Sequence, residues 1–118
     1  MERRGAGYDL FLQARGAVER GDPTDAVRLF AASAHLTPHF KTFELWGECM
    51  LRLEDSALAV KPLEIASSLN RGPRAPVLLA RAFLMLGELE TARRWIEESL
   101  ARHPGYGPAV DVRKELPR

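Results

Sequence analysis

The sequence predicts an all-α fold: a right-handed α-solenoid of three antiparallel helix pairs, closed by a short C-terminal capping helix. Three observations carry this reading. Small residues recur at a constant spacing, with Ala26, Ala59 and Ala92 each 33 residues apart. A turn residue lies five positions before each of them, at Gly21, Glu54 and Gly87. Ahead of each turn, Leu10, Ala14 and Ala17 match Phe43, Gly47 and Met50, and both match Pro76, Ala80 and Phe83. Steps of four and three put each set on one helical stripe. Self-similarity at a period of about 20–50 residues is the mark of stacked helical or strand units.

Each helix has a local reason. Gly21 and Gly87 are suited to the left-handed residue that ends a helix. Asp22 is a candidate N-cap, Pro23 fits the first helical position, and Asp25 can return a hydrogen bond at the third. Thr37-Pro38 and Gly72-Pro73 mark later starts. The expected helices are 8–20, 23–36, 39–53, 56–69, 74–86, 89–102 and 108–116. The last starts at Pro108, repeats the apolar stripe through Ala109, Val112 and Leu116, and turns Asp111, Arg113, Lys114 and Glu115 outward, as an exposed solenoid end requires. Antiparallel helices approach closely only where a side chain is nearly absent. Ala14, Gly47 and Ala80 offer that on the first helices, and Ala26, Ala59 and Ala92 on the second. Phe30, Leu63 and Ile96 then fill the seams. Pro62 falls inside the fourth helix, where it deletes a backbone donor, so a kink or a late helix start is expected there.

Composition sets bounds on function. The 118 residues suit a single domain, with repeats at about 7–39, 40–72 and 73–106. A hydrophobic fraction of 46% and a charged fraction of 28% describe an ordinary globular chain. A net charge of +1 gives no bulk attraction to nucleic acid or anionic lipid. Cys49 is the only cysteine, sits in an apolar helical pattern, and reads as a buried, reduced thiol. The opening Met1-Glu2-Arg3-Arg4-Gly5 is charged, and the apolar stretch after it is broken by Asp9, Gln13 and Arg15, so no signal-peptide core or membrane span is read. The expectation is a cytoplasmic protein without membrane contact.

The order small, aromatic, Gly, Ala, aromatic, small, Pro resembles the tetratricopeptide repeat over residues 7–116. The third repeat carries it through Ala80, Phe83, Gly87, Ala92, Ser99 and Pro104, and the first through Ala14, Gly21, Ala26, Phe30 and Pro38. The second departs from it, with Glu54 at the turn glycine and Arg71 at the proline. The period is one residue shorter than the family's usual 34, so tighter links between pairs are expected.

The resemblance implies a binding groove on the first-helix face opposite the inner stripe. Its candidate residues are Leu12, Arg15 and Val18 in repeat one; Leu45, Glu48, Leu51 and Arg52 in repeat two; and Leu78, Arg81, Leu84 and Met85 in repeat three. Apolar residues recur at two positions, and Arg15, Glu48 and Arg81 form a line of charge between them. The expected partner is an apolar or amphipathic segment of another protein, with an acidic group near Arg15 or Arg81. Homodimerisation or the chain's own N-terminal residues are rival uses of the same leucines. The family's best-known groove clamps a C-terminal carboxylate, and its positions fall here on Phe11, Arg15, Leu45, Arg74 and Leu78. Three of these are apolar, so the resemblance is nearer to three-repeat secretion chaperones and bacterial scaffold modules.

Catalytic readings are weak. His35 and His39 have a helical metal spacing, but Pro38 intervenes and no third ligand is near. Glu54-Asp55 and Glu97-Glu98 read as solvated charge. Gly5-Ala6-Gly7 lacks the strand and spacing of a nucleotide loop. No enzyme activity, cofactor or metal is expected. Helical repeats that read RNA need a basic groove with polar base-reading pairs, whereas Glu19, Glu44 and Glu48 share this face, so nucleic acid ranks below protein as a partner.

Overall fold

A computed structural model of the chain describes residues 5–117; the charged opening, residues 1–4, lies outside them. The described residues form seven α-helices and no strand: α1 (Ala6–Glu19), α2 (Pro23–Leu36), α3 (Phe40–Arg52), α4 (Ser56–Leu69), α5 (Arg74–Met85), α6 (Leu89–Arg102) and α7 (Gly107–Glu115). The boundaries agree with the sequence expectation to within about two residues, the usual ambiguity at frayed ends. The principal extents are 54 × 26 × 21 Å, the elongated form of units that contact only their neighbours.

All three pairs turn in the same way. The N–H of Gly21 donates to Val18 O at 2.9 Å and that of Asp22 to Ala17 O at 2.9 Å; Glu54 and Asp55, and Gly87 and Glu88, repeat this on Leu51 and Met50, and on Leu84 and Phe83. This pattern closes a helix C-terminus through one left-handed residue. Gly21 and Gly87 adopt φ of 75° and 77°, and Glu54 adopts 62°. The repeat thus holds the turn even without its glycine, at the steric cost of a Cβ in the left-handed region. Glu54→Gly should stabilise the chain by about 1 kcal/mol, seen as a higher chemical-denaturation midpoint. An unchanged or lower midpoint would show that Glu54 has a compensating contact.

Asp22 caps α2, its Oδ1 accepting from the Asp25 N–H at 3.1 Å. Asp25 does not complete a reciprocal box; its carboxylate takes Arg28 and Arg20 instead. His39 caps α3, its Nδ1 accepting from the Lys41 N–H at 3.1 Å, which gives this histidine a structural use in place of a metal. Of the two expectations at Pro62, the late helix start does not occur. Helix α4 starts at Ser56, in register with its counterparts, and runs unbroken through a buried Pro62. The late start is therefore incorrect. The ring sits where Leu29 and Trp95 sit in the other repeats, facing the seam, and the backbone acceptor it leaves is that of the exposed Leu58.

The core is a row of seams. Ala14, Ala26, Ala59, Ala80 and Ala92 are fully buried, and Phe30, Leu63 and Ile96 are at most 1% exposed. Four apolar clusters follow the chain. Phe30 centres the first. Phe43 with Ala34, Ala66 and Ala75 forms the second, Leu63 with Leu78 and Leu79 the third, and Ile96 with Val112 and Leu116 the last. Two serines fasten the pairs: Ser33 Oγ donates to Gly7 O at 2.5 Å and Ser99 Oγ to Pro73 O at 2.8 Å, the same register position. Repeat two has Ala66 there. Its link to α5 is held instead by Arg102, whose Nη1 donates to Ser67 O, Asn70 O and Gly72 O.

Candidate functional site

The first helices α1, α3 and α5 share a face, and the structure divides the expected groove residues into three groups. The first is an apolar row of graded burial. Leu78 is 7% exposed and packs with Leu63 and Leu79 against the preceding repeat. Leu45 makes the same approach, half-buried against the Phe30 cluster. Leu12, half-buried on α1, lines a cleft with Gln13, Gly16 and Arg20. The expectation of an open groove residue is thus corrected at Leu78, which occupies the seam, whereas Leu12 and Leu45 are half-buried. Helical spacing gives the angle of a side chain but not the tilt of the next pair, and the tilt decides which sector is covered. The near-uniform apolarity of α5 has the same cause, since Ala75 to Ala80 and Ala82 are all buried.

A second group is charged but internally paired. Arg74 Nη1 donates to Glu44 Oε1 at 2.9 Å, and its Nη2 donates to Glu48 Oε2. Lys41 Nζ reaches the same Glu44 oxygen at 3.0 Å. Glu44 is 4% exposed, so its charge is held inside the protein by these two cations. Burial works against the Arg74 charge, but Glu48 and Glu44 outweigh it and hold the guanidinium pKa above its ordinary value. Glu48, expected as an open groove charge, is therefore a brace between α3 and α5. Two of the carboxylate-clamp positions are thus engaged internally, Arg74 in this brace and Leu78 in the apolar seam.

The third group stays accessible. Arg15, Arg52 and Arg81 are exposed and make no ion pair among the described residues. Beside them Val18, Leu51 and Leu84 are half-buried and Met85 is 52% exposed. The face thus combines unneutralised arginines with a low apolar ridge.

Sequence reading missed one feature. At the N-terminal end of this face a cavity of about 220 Å³ opens between α1, the α2–α3 link and α3, lined by Gly7, Tyr8, Phe11, Thr37, Lys41 and Thr42 among others. Its walls are almost wholly apolar atoms, because Ser33 spends its hydroxyl on Gly7 O. Tyr8 and Phe11 stack with centroids 6.3 Å apart. Gly7 permits the closure, since a Cβ there would lie 2.3 Å from Thr37 Oγ1. The only sequence signal was Gly7, one residue before the aromatic pair.

Cys49 is 2% exposed. Burial pushes its thiol pKa up, Arg52 opposes that, and Glu48 adds a smaller upward push. The folded state thus holds the thiol proton more tightly than the unfolded chain does, so stability falls as pH rises past the unfolded thiol range near about 8.5. Iodoacetamide at pH 8 should modify the native protein far more slowly than the urea-unfolded chain; equal rates would show an open thiol. Among the described residues no three His, Cys, Asp or Glu gather as a metal site, and no helix is long and apolar enough to cross a membrane.

No family model and no curated protein matches the chain. Solved structures do. The first TPR of Spaghetti (RPAP3), bound to the HSP90 peptide SRMEEVD, superposes with a TM-score of 0.87 at 19% identity, over 92% of this chain and 88% of that one. The Arabidopsis OM64 TPR domain gives 0.88 at 15% identity, over 93% of each. The chain has the tetratricopeptide-repeat fold. The Yersinia enterocolitica type III secretion chaperone SycD, in complex with a peptide of the translocator YopD, shares it at 0.81 and 20% identity, over 92% of this chain and 84% of that one. A second structure of SycD shows an alternative dimer. In this repeat fold the face of α1, α3 and α5 is the row of first helices.

Proposed function

We propose that the protein is a non-catalytic interaction module whose first-helix face holds an acidic, amphipathic segment of another protein. The carrying observation is the contrast on that face: Glu44, Glu48, Lys41 and Arg74 neutralise one another, while Arg15, Arg52 and Arg81 make no ion pair among the described residues. Exposed, unneutralised arginines beside an apolar ridge suit a ligand that carries carboxylates on one side and apolar groups on the other. The peptide complexes of Spaghetti (RPAP3) and SycD are examples of this fold holding a segment of another protein. Self-association through the same ridge is the second reading, favoured by half-buried Leu51 and Leu84 and exposed Met85 in one sector.

The test uses two synthetic 20-residue amphipathic peptides, one with a Glu-rich polar face and one with a Lys-rich polar face. Calorimetric titration should show binding of the acidic peptide only, weakening as salt is raised. Arg15→Glu with Arg81→Glu should abolish it while leaving helicity intact. Preference for the basic peptide, or indifference to the double substitution, would refute the proposal. Sedimentation of the unliganded protein decides the second reading.

A further inference from the structure

The two junctions between repeats carry different chemistry at the same register positions. At the second junction Arg74 meets two carboxylates, Glu44 and Glu48. One repeat earlier, 33 residues back, those positions hold Lys41, Phe11 and Arg15. The cation is kept, but its two acceptors are replaced by an aromatic ring and a second cation. The Lys41 ammonium turns back to Glu44 of its own helix, with donors to spare, and its side chain is 43% exposed. Arg15 makes no ion pair among the described residues. Where the second junction is filled by charged side chains, the first has the cavity walled by Tyr8, Phe11, Thr37 and Thr42.

The geometry points to a specificity pocket: we infer that this cavity takes one aromatic or branched aliphatic side chain of the partner, and that a carboxylate next to that side chain in the partner sequence binds Lys41 and Arg15. The inference rests on the proposed use of this face and narrows it to a motif, an apolar residue flanked by acids. Apolar walls favour an apolar side chain, since most of the surface it would meet offers no hydrogen bond. Arg15, with no ion pair among the described residues, supplies the charge for the flanking carboxylate, and Lys41, already paired with Glu44, adds its spare donors. The ring faces of Tyr8 and Phe11 favour an aromatic occupant over a small one.

The probe is the pentapeptide acetyl-Asp-Asp-Phe-Asp-Asp-amide, titrated into the isotope-labelled full chain and followed through backbone amide resonances. Shifts are expected at Gly7, Tyr8, Phe11 and Thr42. Replacing the central Phe by Ala should weaken binding about tenfold, and replacing the four Asp by Lys should do at least as much. Arg15→Glu, at an exposed site, and Tyr8→Ala should each weaken it by a similar factor with unchanged helicity. Shifts centred on Arg81 and Leu84 instead would overturn the pocket while leaving the wider groove reading to its own long-peptide test. No shift at millimolar peptide would overturn it too. So would the same amides moving on dilution of the unliganded protein, which assigns the cavity to a second copy, or on deletion of residues 1–4, which assigns it to the chain itself.

Discussion

Gly47→Ala should destabilise the protein by about 2 kcal/mol or more, although alanine is the better helix former by about 1 kcal/mol. A Cβ at Gly47 would lie 2.3 Å from Leu63 Cγ and 2.4 Å from its Cδ2. Leu63 is fully buried, and it cannot move away without emptying the seam it fills with Leu78 and Leu79. Repeats one and three carry alanine at this position, with Phe30 and Ile96, side chains of different shape, where Leu63 stands. Melting should fall by roughly 8 °C for a domain of this size. Combining Gly47→Ala with Leu63→Ala separates the causes. Leu63→Ala alone costs about 3 kcal/mol through its cavity. The pair should cost at least about 1 kcal/mol less than the sum, because the new methyl enters the space the leucine leaves. Strict additivity, or a rise in melting temperature for Gly47→Ala alone, would show that close approach does not govern this contact.

Arg74→Ala should cost about 2 kcal/mol, the second large effect. It strands the Glu44 carboxylate, 4% exposed, with Lys41 as its only cation. Removing one member of a buried pair costs about 3–5 kcal/mol. The lower figure applies here because the Arg74 side chain is 36% exposed and partly screened by solvent. Arg74→Lys should recover less than half, since one ammonium cannot serve two carboxylates as the guanidinium fork does. Adding Glu44→Gln to Arg74→Ala should restore part of the loss by removing the stranded charge. Chemical denaturation of the four proteins measures this; a wild-type midpoint for Arg74→Ala would show that the brace is idle and that Glu48 is open to ligand.

These two residues also show how far the sequence reaches. Gly47 was identified as a close-approach position from its register with Ala14 and Ala80, and the structure puts it under Leu63 as that register requires. Glu48 was assigned to the open groove, and the structure gives it to Arg74. The difference lies in range. Gly47 and Leu63 meet within one antiparallel pair, whose geometry follows from a short turn and a 3.6-residue period. Glu48 and Arg74 meet across two pairs, and that meeting depends on how one pair leans on the next.

What the sequence determined by itself was the periodic part: seven helices, three turns closed by a left-handed residue, the small positions, the seam fillers and the half-repeat end. Each is set by backbone chemistry acting within about 33 residues, so spacing alone exposes it. Only the tertiary structure decided which side of each first helix stays open. The packing of one pair on the next closes Leu78 into the seam and leaves Val18, Leu45, Leu51 and Leu84 half-covered. It joins Glu44 and Glu48 to Arg74 and leaves Arg15, Arg52 and Arg81 without an ion pair among the described residues. It also opens a cavity beside Tyr8 and Phe11 that the same register position in the next repeat fills with an ion pair. An angular pattern cannot encode these outcomes, because a side chain's exposure is a property of its neighbours.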